Sequence, residues 1–222
     1  MADTDPLTHF AYQFMSSNSY TGVTYGKTAT VLLTLEGLIG QDTMRNAMHT
    51  YFERYKFTHP TGTDFLKTIQ DVSGQDLSWY FNQAVSGTNV LDYEVAEIRS
   101  DRADWYEKHP APYKKGQTLY RDTVLVHRKG DFLFPVETEV RFDSGEVLRE
   151  KWDGHDRWIR YTYLKKAKIV SAEIDPDHRV PLDRDYFNNS QTADSSSGAT
   201  RKLQTYLMFL TGLFSQLAAW IV

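Results

Sequence analysis

Between Tyr25 and Ile39 the chain reads YGKTATVLLTLEGLI, and Val31, Leu32, Leu35, Leu38 and Ile39 recur at the spacing that places them along one side of a helix. Gly40 follows as a C-terminal stop. Met44, Ala47, Met48, Tyr51, Phe52 and Tyr55 repeat the same period until the stretch Lys56 to Pro60 breaks it, so a second helix is predicted. Thr61 to Thr63 can cap a third helix through Val72, interrupted by Ser73 and Gly74, and a fourth, rich in aromatics, is predicted from about Asp76 to Val85. The aromatic run Trp79, Tyr80 and Phe81 reads as a packed helix face.

Beyond residue 88 the period changes to two. Leu91, Tyr93 and Val95 alternate with Asp92 and Glu94, as a half-buried strand requires. Further strands are predicted at Val124 to His127, Phe132 to Phe142, Glu146 to Trp152, Trp158 to Tyr163 and Lys168 to Ile174, separated by turns at Lys129-Gly130, Asp143-Ser144-Gly145 and Asp153-Gly154. The polar connection 99–118 has no assignable pattern. Asn188 to Thr200 is rich in Ser, Asn and Thr and reads as a linker, after which Leu203 to Val222 runs without a charge. That length suffices to span a bilayer. Its polar residues fall within about 140° of one another at helical spacing, a one-sided stripe that also suits an interfacial or groove-docked helix. Arg201 and Lys202 lie at its N-terminal end.

The fold class expected is therefore α+β. A small helical subdomain (1–88) precedes an antiparallel Ig-like β-sandwich (89–188), a flexible linker (189–202) and a hydrophobic, membrane-associated helix (203–222). The length of 222 residues and the 41% apolar content allow an ordinary core. With 25 Lys plus Arg against 29 Asp plus Glu, the net charge of −4 argues against nucleic acid as a partner. The absence of cysteine excludes disulfides, cysteine nucleophiles and thiolate metal sites. Met1 to Phe10 lacks a basic stretch followed by an apolar run, so no secretory signal is expected within it.

Candidate chemistry is sparse. His9, His49, His59, His109, His127, His155 and His178 form no close metal-ligand pair. Asp153, His155 and Asp156 lie on a turn that favours those residues for backbone reasons, and Pro176 makes Asp175, Asp177 and His178 part of a loop ending a strand. No Gly-rich phosphate loop and no nucleophile elbow is present. Asn188-Asn189-Ser190 is a glycosylation sequon, a short pattern that chance supplies.

An ordered set of small motifs carries more. Tyr25 and Lys27 open the first helix, Leu35 and Gly40 close it, and Tyr51 and Tyr55 end the next. Asp64 and Phe65 follow, then Ser73, Gly74, Asp76 and Leu77, then the aromatic pair Tyr80 and Phe81. This order resembles the C-terminal half of the catalytic domain of the M1 family of zinc aminopeptidases, related to aminopeptidase N. The strand region, with FPVETEVRFDSGE and Ile174-Asp175-Pro176, is similar to the β-sandwich that follows the catalytic domain in members of that family.

The resemblance implies hydrolysis of N-terminal residues from peptides. In the family a His-Glu-x-x-His motif and a Glu on the next helix bind zinc, and the motif's own Glu activates water. Tyr25 matches the tyrosine whose hydroxyl stabilises the oxyanion. The zinc ligands, the general base and the segment that holds the substrate's amine lie upstream of this tyrosine in the family, and only 24 residues precede it here. No cofactor-binding or metal-binding residue is therefore assigned to this chain, and zinc is expected in the complete enzyme. One reading is the C-terminal fragment of a membrane-attached M1-type aminopeptidase, incompetent alone and needing its zinc-binding half or a partner chain. The alternative is a non-catalytic, membrane-tethered helical and β-sandwich module that binds a protein. In either case the helices are expected to leave an apolar face exposed, with the sandwich as the more stable unit.

Overall fold

The structure, a computed structural model, describes residues 5–103 and 118–193. The expected tail helix 203–222 and most of the linker lie outside these residues. Among the described residues no helix is long and apolar enough to cross a membrane.

Helical structure starts earlier than the apolar period indicates. A short α1 (Ser17–Thr21), capped by the Ser16 hydroxyl accepting from the Ser19 amide, runs directly into a π-helical segment (Gly22–Lys27) and then α2 (Thr28–Ile39). The first stretch is invisible to a periodicity argument because Ser, Asn and Thr fill it. α2 buries Val31, Leu35 and Ile39, and Gly40 at φ 90° ends it. α3 (Gln41–Tyr55) buries Met44 and Ala47, whereas Met48 and Phe52, grouped with them by period, are exposed.

α4 (Gly62–Ser73) carries a capping box in which Thr61 and Asp64 satisfy one another's end of the helix, and Gly74 closes it in the left-handed conformation. Its backbone and side-chain hydrogen bonds to Thr61 hold the Asp64 carboxyl below the usual carboxylate range. The aromatic helix is shorter than predicted: α5 (Ser78–Phe81) passes into a second π segment (Asn82–Ser86).

The remaining described residues form two antiparallel sheets. One has the order β1–β2–β5, built from β1 (Tyr93–Arg102), β2 (Tyr120–Arg128) and β5 (Trp158–Lys165). The other has the order β4–β3–β6–β7, from β3 (Val136–Phe142), β4 (Val147–Trp152), β6 (Ile169–Ile174) and β7 (Ser190–Thr192). The short edge strand β7 was not predicted, and Arg99–Arg102, left without a pattern, complete β1. Mixed helix and antiparallel sheet content fits the α+β class.

Alternation sets the buried faces. On β2 Asp122, Val124, Val126 and Arg128 point inward, and on β3 Val136, Thr138, Val140 and Phe142 do. Val124, Val126, Val136, Val140 and Phe142 join Val31, Leu35, Ile69 and Tyr80 of the helices in one buried cluster.

Two stretches weld the helices to the sheets. The first is 130–135, where the strand predicted from Phe132 begins only at Val136: Phe132 donates its amide to the Val90 carbonyl and Leu133 to the Gln83 side chain instead of to a neighbouring strand. Phe132 and Phe134 then meet the Tyr80 ring at centroid distances of 5.8 and 6.1 Å. The second is the strap 175–189. Its Leu182 amide donates to the Thr34 hydroxyl on α2 at 3.0 Å, and its Arg184 amide to the Leu91 carbonyl at 2.9 Å. Asp183 anchors it from within, accepting from the Tyr93, Asp185 and Asn189 nitrogens at 3.1–3.3 Å.

Candidate functional site

The π segment Gly22–Lys27 presents Tyr25 on the outer side of the helical layer, 68% exposed. Insertions of this kind recur at functional sites because one extra residue per turn re-aims the side chains beside it. The widened turn is visible at Thr28, whose amide reaches the Val23 carbonyl five residues back and whose hydroxyl donates to the same oxygen at 3.3 Å. The face around Tyr25 carries no charge: Gly22, Gly26, Ala29 and Leu33 are its exposed neighbours at helical spacing. A Cβ on Gly22 or Gly26 would meet nothing within 4 Å, so the backbone beside the phenol is open to close approach.

On the inner side, Lys27 is 7% exposed and donates to the Gly87 carbonyl at 3.4 Å. Gly22, Gly26 and Lys27 line one wall of a cavity of about 360 Å³, with Asn89, Leu182 and Arg184 opposite. A larger cavity of about 610 Å³ lies at the other end of α2, between Leu33 and Glu36 on one side and His178 and Arg179 on the other.

The remaining candidate groups are occupied by the fold. Tyr80 is fully buried, donates its hydroxyl to the Val31 carbonyl at 2.7 Å, and burial pushes its phenol far above the usual range. Asp153 accepts from the His155 amide at 3.1 Å, the Asx-turn contact expected of that position. Asp175 accepts from the Arg179 and Val180 amides, while Asp177 turns outward to a bidentate pair with Arg149 at 2.9 Å, so the two carboxylates do not converge with His178. Asn188, the sequon position, donates its amide to Asp92 at 3.1 Å.

One grouping was not anticipated: Asp5, His9 and Ser19. Asp5 is its hub, accepting from the Ser19 hydroxyl and lying 3.4 Å from His9 Nδ1. A serine hydroxyl bound to the carboxylate rather than to the imidazole is not an activated nucleophile. Sequence gave no signal for it, since the three residues share no motif spacing.

No group of three or more His, Asp or Glu side chains among the described residues is placed to hold a metal ion. At the π segment the described residues offer the exposed Tyr25 phenol on an uncharged helical face.

Comparison with known proteins gives this arrangement a context. The peptidase family M1 domain matches residues 5–84, the described helical layer as far as the middle of the second π segment. The helical layer is M1-like. Among curated relatives, Probable aminopeptidase 2 of Sulfurisphaera tokodaii is 30% identical over 75% of this chain and 22% of its own length. Probable aminopeptidase 1 of the same organism is 27% identical over 85% of this chain and 25% of its own. Aminopeptidase N of Escherichia coli is 32% identical over 69% of this chain and 17% of its own. The matches to these relatives extend past residue 84 into the sheets. The chain spans about a sixth to a quarter of the length of these relatives. A solved structure, aminopeptidase A of Legionella pneumophila in complex with aspartic acid, aligns over 75% of this chain and 18% of its own, with a TM-score of 0.48 and 13% identity.

Proposed function

We propose that this chain forms the C-terminal part of the catalytic unit of an M1-type zinc aminopeptidase, with Tyr25 as the oxyanion donor and peptides as substrate. The single observation that carries the reading is the placement of Tyr25: an exposed phenol on an uncharged face, inside the residues that match the M1 domain. A hydroxyl fixed before reaction and aimed where charge develops on the scissile carbonyl stabilises the transition state more than the ground state. The open backbone at Gly22 and Gly26 admits a substrate or a second helical layer beside the phenol. The residues that hold the metal, activate water and bind the substrate amine come, in this reading, from outside the described residues, in a zinc-binding half or a partner chain. The two sheets are read as the Ig-like sandwich of such an enzyme, and residues 203–222, twenty positions without a charge, as its membrane-associated segment.

The test is complementation. The 222-residue chain is mixed with the zinc-binding part of a relative, such as the aminopeptidase N of Escherichia coli, and release of an N-terminal residue from a chromogenic amide is followed. Activity is expected in the mixture, with Tyr25→Phe lowering kcat on the order of 100-fold to 1000-fold and KM little altered. A complemented activity indifferent to Tyr25→Phe would remove the catalytic role. Stable binding without activity would favour the non-catalytic, protein-binding alternative, which the uncharged exposed face of the helical layer also suits.

A further inference from the structure

Tyr25 and Lys27 are two residues apart and face opposite surroundings. Positions i and i+2 on a helical turn differ by roughly half a turn, so one is turned inward when the other is turned outward. The residue turned inward is a lysine, 7% exposed, in a place where an apolar side chain of equal length avoids the cost of burying a charge. One partner of its ammonium is the Gly87 carbonyl at 3.4 Å, sixty residues away in sequence. Gly87 is itself tightly placed: a Cβ there would lie 2.6 Å from Asn89 Oδ1 and 2.9 Å from the Gln83 carbonyl oxygen. Gln83 in turn is clasped to Leu133, accepting from its amide at 2.8 Å and donating to its carbonyl at 3.2 Å. The acceptor for Lys27 is thus fixed to the sheet side of the molecule.

The π segment is what this fixed point restrains. α2 is held by Val31, Leu35 and Ile39 in the core, so a relaxation of Gly22–Lys27 to ordinary α-helix, which loses one residue from the wide turn, would rotate the residues on its N-terminal side by about 100°. Tyr25 would then leave the exposed face. The cavity beside Gly22, Gly26 and Lys27 provides room on one side for that motion, and the groups of the segment that oppose it are the two that point inward, Lys27 and the fully buried Val23.

We propose that Lys27 is a positioning residue for Tyr25: its ammonium, docked on the Gly87 carbonyl, holds the π register that keeps the phenol outward. The catalytic meaning of this rests on the function proposed above, but the positioning itself is measured without activity. The full chain is labelled with 3-fluorotyrosine, and the Tyr25 fluorine resonance is assigned by its loss in Tyr25→Phe. Lys27→Met is expected to displace or split that resonance, and Lys27→Arg, which keeps a charged donor, to restore it. Ile69→Val, in the core of α4, serves as the control, lowering Tm while leaving the Tyr25 resonance in place. If Lys27→Met does not fold, Gly87→Ala, which disturbs the acceptor instead of the donor, must displace the same resonance. An unmoved Tyr25 signal in these variants, with Tm lowered as in the control, would reduce Lys27 to a stability role and overturn the proposal. A Tyr25 that moves with Lys27 yet is kinetically silent in the complemented enzyme would overturn the proposed function alone.

Discussion

The helical layer and the two sheets treat their apolar residues differently. Of the fifteen large apolar side chains that stand exposed among the described residues, ten lie before residue 88, including Phe10, Tyr12, Tyr25, Leu33 and Phe52, and five lie in the strands and their connections. The sheets bury their inward rows, so Val124, Val126, Val140 and Phe142 lie in the common core. The helices have only one covered side. Their inner row rests on 130–135 and the strap, while their outer row, the one that includes Tyr25, faces outward. An uncharged, exposed helical face costs solubility and contributes nothing to stability, which makes sense where another layer or a substrate covers it. The outer side of the helical layer, with Tyr25, is therefore the side left open to a covering layer.

Tyr80 gives the strongest test of that dependence. It is fully buried, its hydroxyl serves the Val31 carbonyl, and its ring packs on Phe132 and Phe134. Tyr80→Ala is expected to cost about 3–5 kcal/mol. Amide exchange should show α2, α4 and α5 losing protection while β2 and β3 keep theirs. Equal loss in both parts would mean that the sheets need the helices as much as the reverse, and the comparison would fail.

Much of this division was legible in the chain. The period change at Leu91 follows from a physical necessity, since a strand and a helix cannot bury the same spacing. The buried Val31, Leu35 and Ile39 follow from the same logic. Illegible were the places where a hydrogen-bond partner comes from far away in sequence. Phe132 and Phe134 alternate as a strand should, but their segment bonds to Val90 and Gln83. The π segments leave no mark in composition, because a wide turn is stabilised by what packs on it. For the site, Tyr25 emerged from resemblance, and its exposure came only with the fold. For Lys27, the burial and the contact with Gly87 likewise came only with the fold.

The strap offers a second test, through pH. Burial raises the Asp183 carboxyl to about 6, despite hydrogen bonds from Asp185, Asn189 and Tyr93 that favour the charged form. A group whose pKa is higher in the folded than in the unfolded chain stabilises the fold most below its unfolded value, and that contribution is lost as pH rises through the folded value. With an ordinary value of 3.8, the stability of the protein relative to Asp183→Asn should increase by about 2 kcal/mol on lowering the pH from 7 to 4.5. Urea titrations of both proteins at the two pH values measure it. A constant difference would show that the strap is not held through this carboxyl, and that the junction of the two regions lies mainly at 130–135.

The smallest effect is the most diagnostic in sign. Gly37 lies inside α2, where alanine is ordinarily the better residue by about 1 kcal/mol. An added Cβ, however, would overlap the Arg179 carbonyl oxygen, which is backbone and cannot swing aside as a side chain can. Overpacking of this kind costs about 1–3 kcal/mol. Gly37→Ala should therefore be destabilising by about 1 kcal/mol after the gain in helix propensity is subtracted, as read from the shift of the denaturation midpoint. A stabilised Gly37→Ala would mean that α2 and the strap part easily. The helical layer would then be joined to the sheets chiefly through Tyr80 and its aromatic neighbours, and the strap would follow the sheets rather than the helix that carries Tyr25.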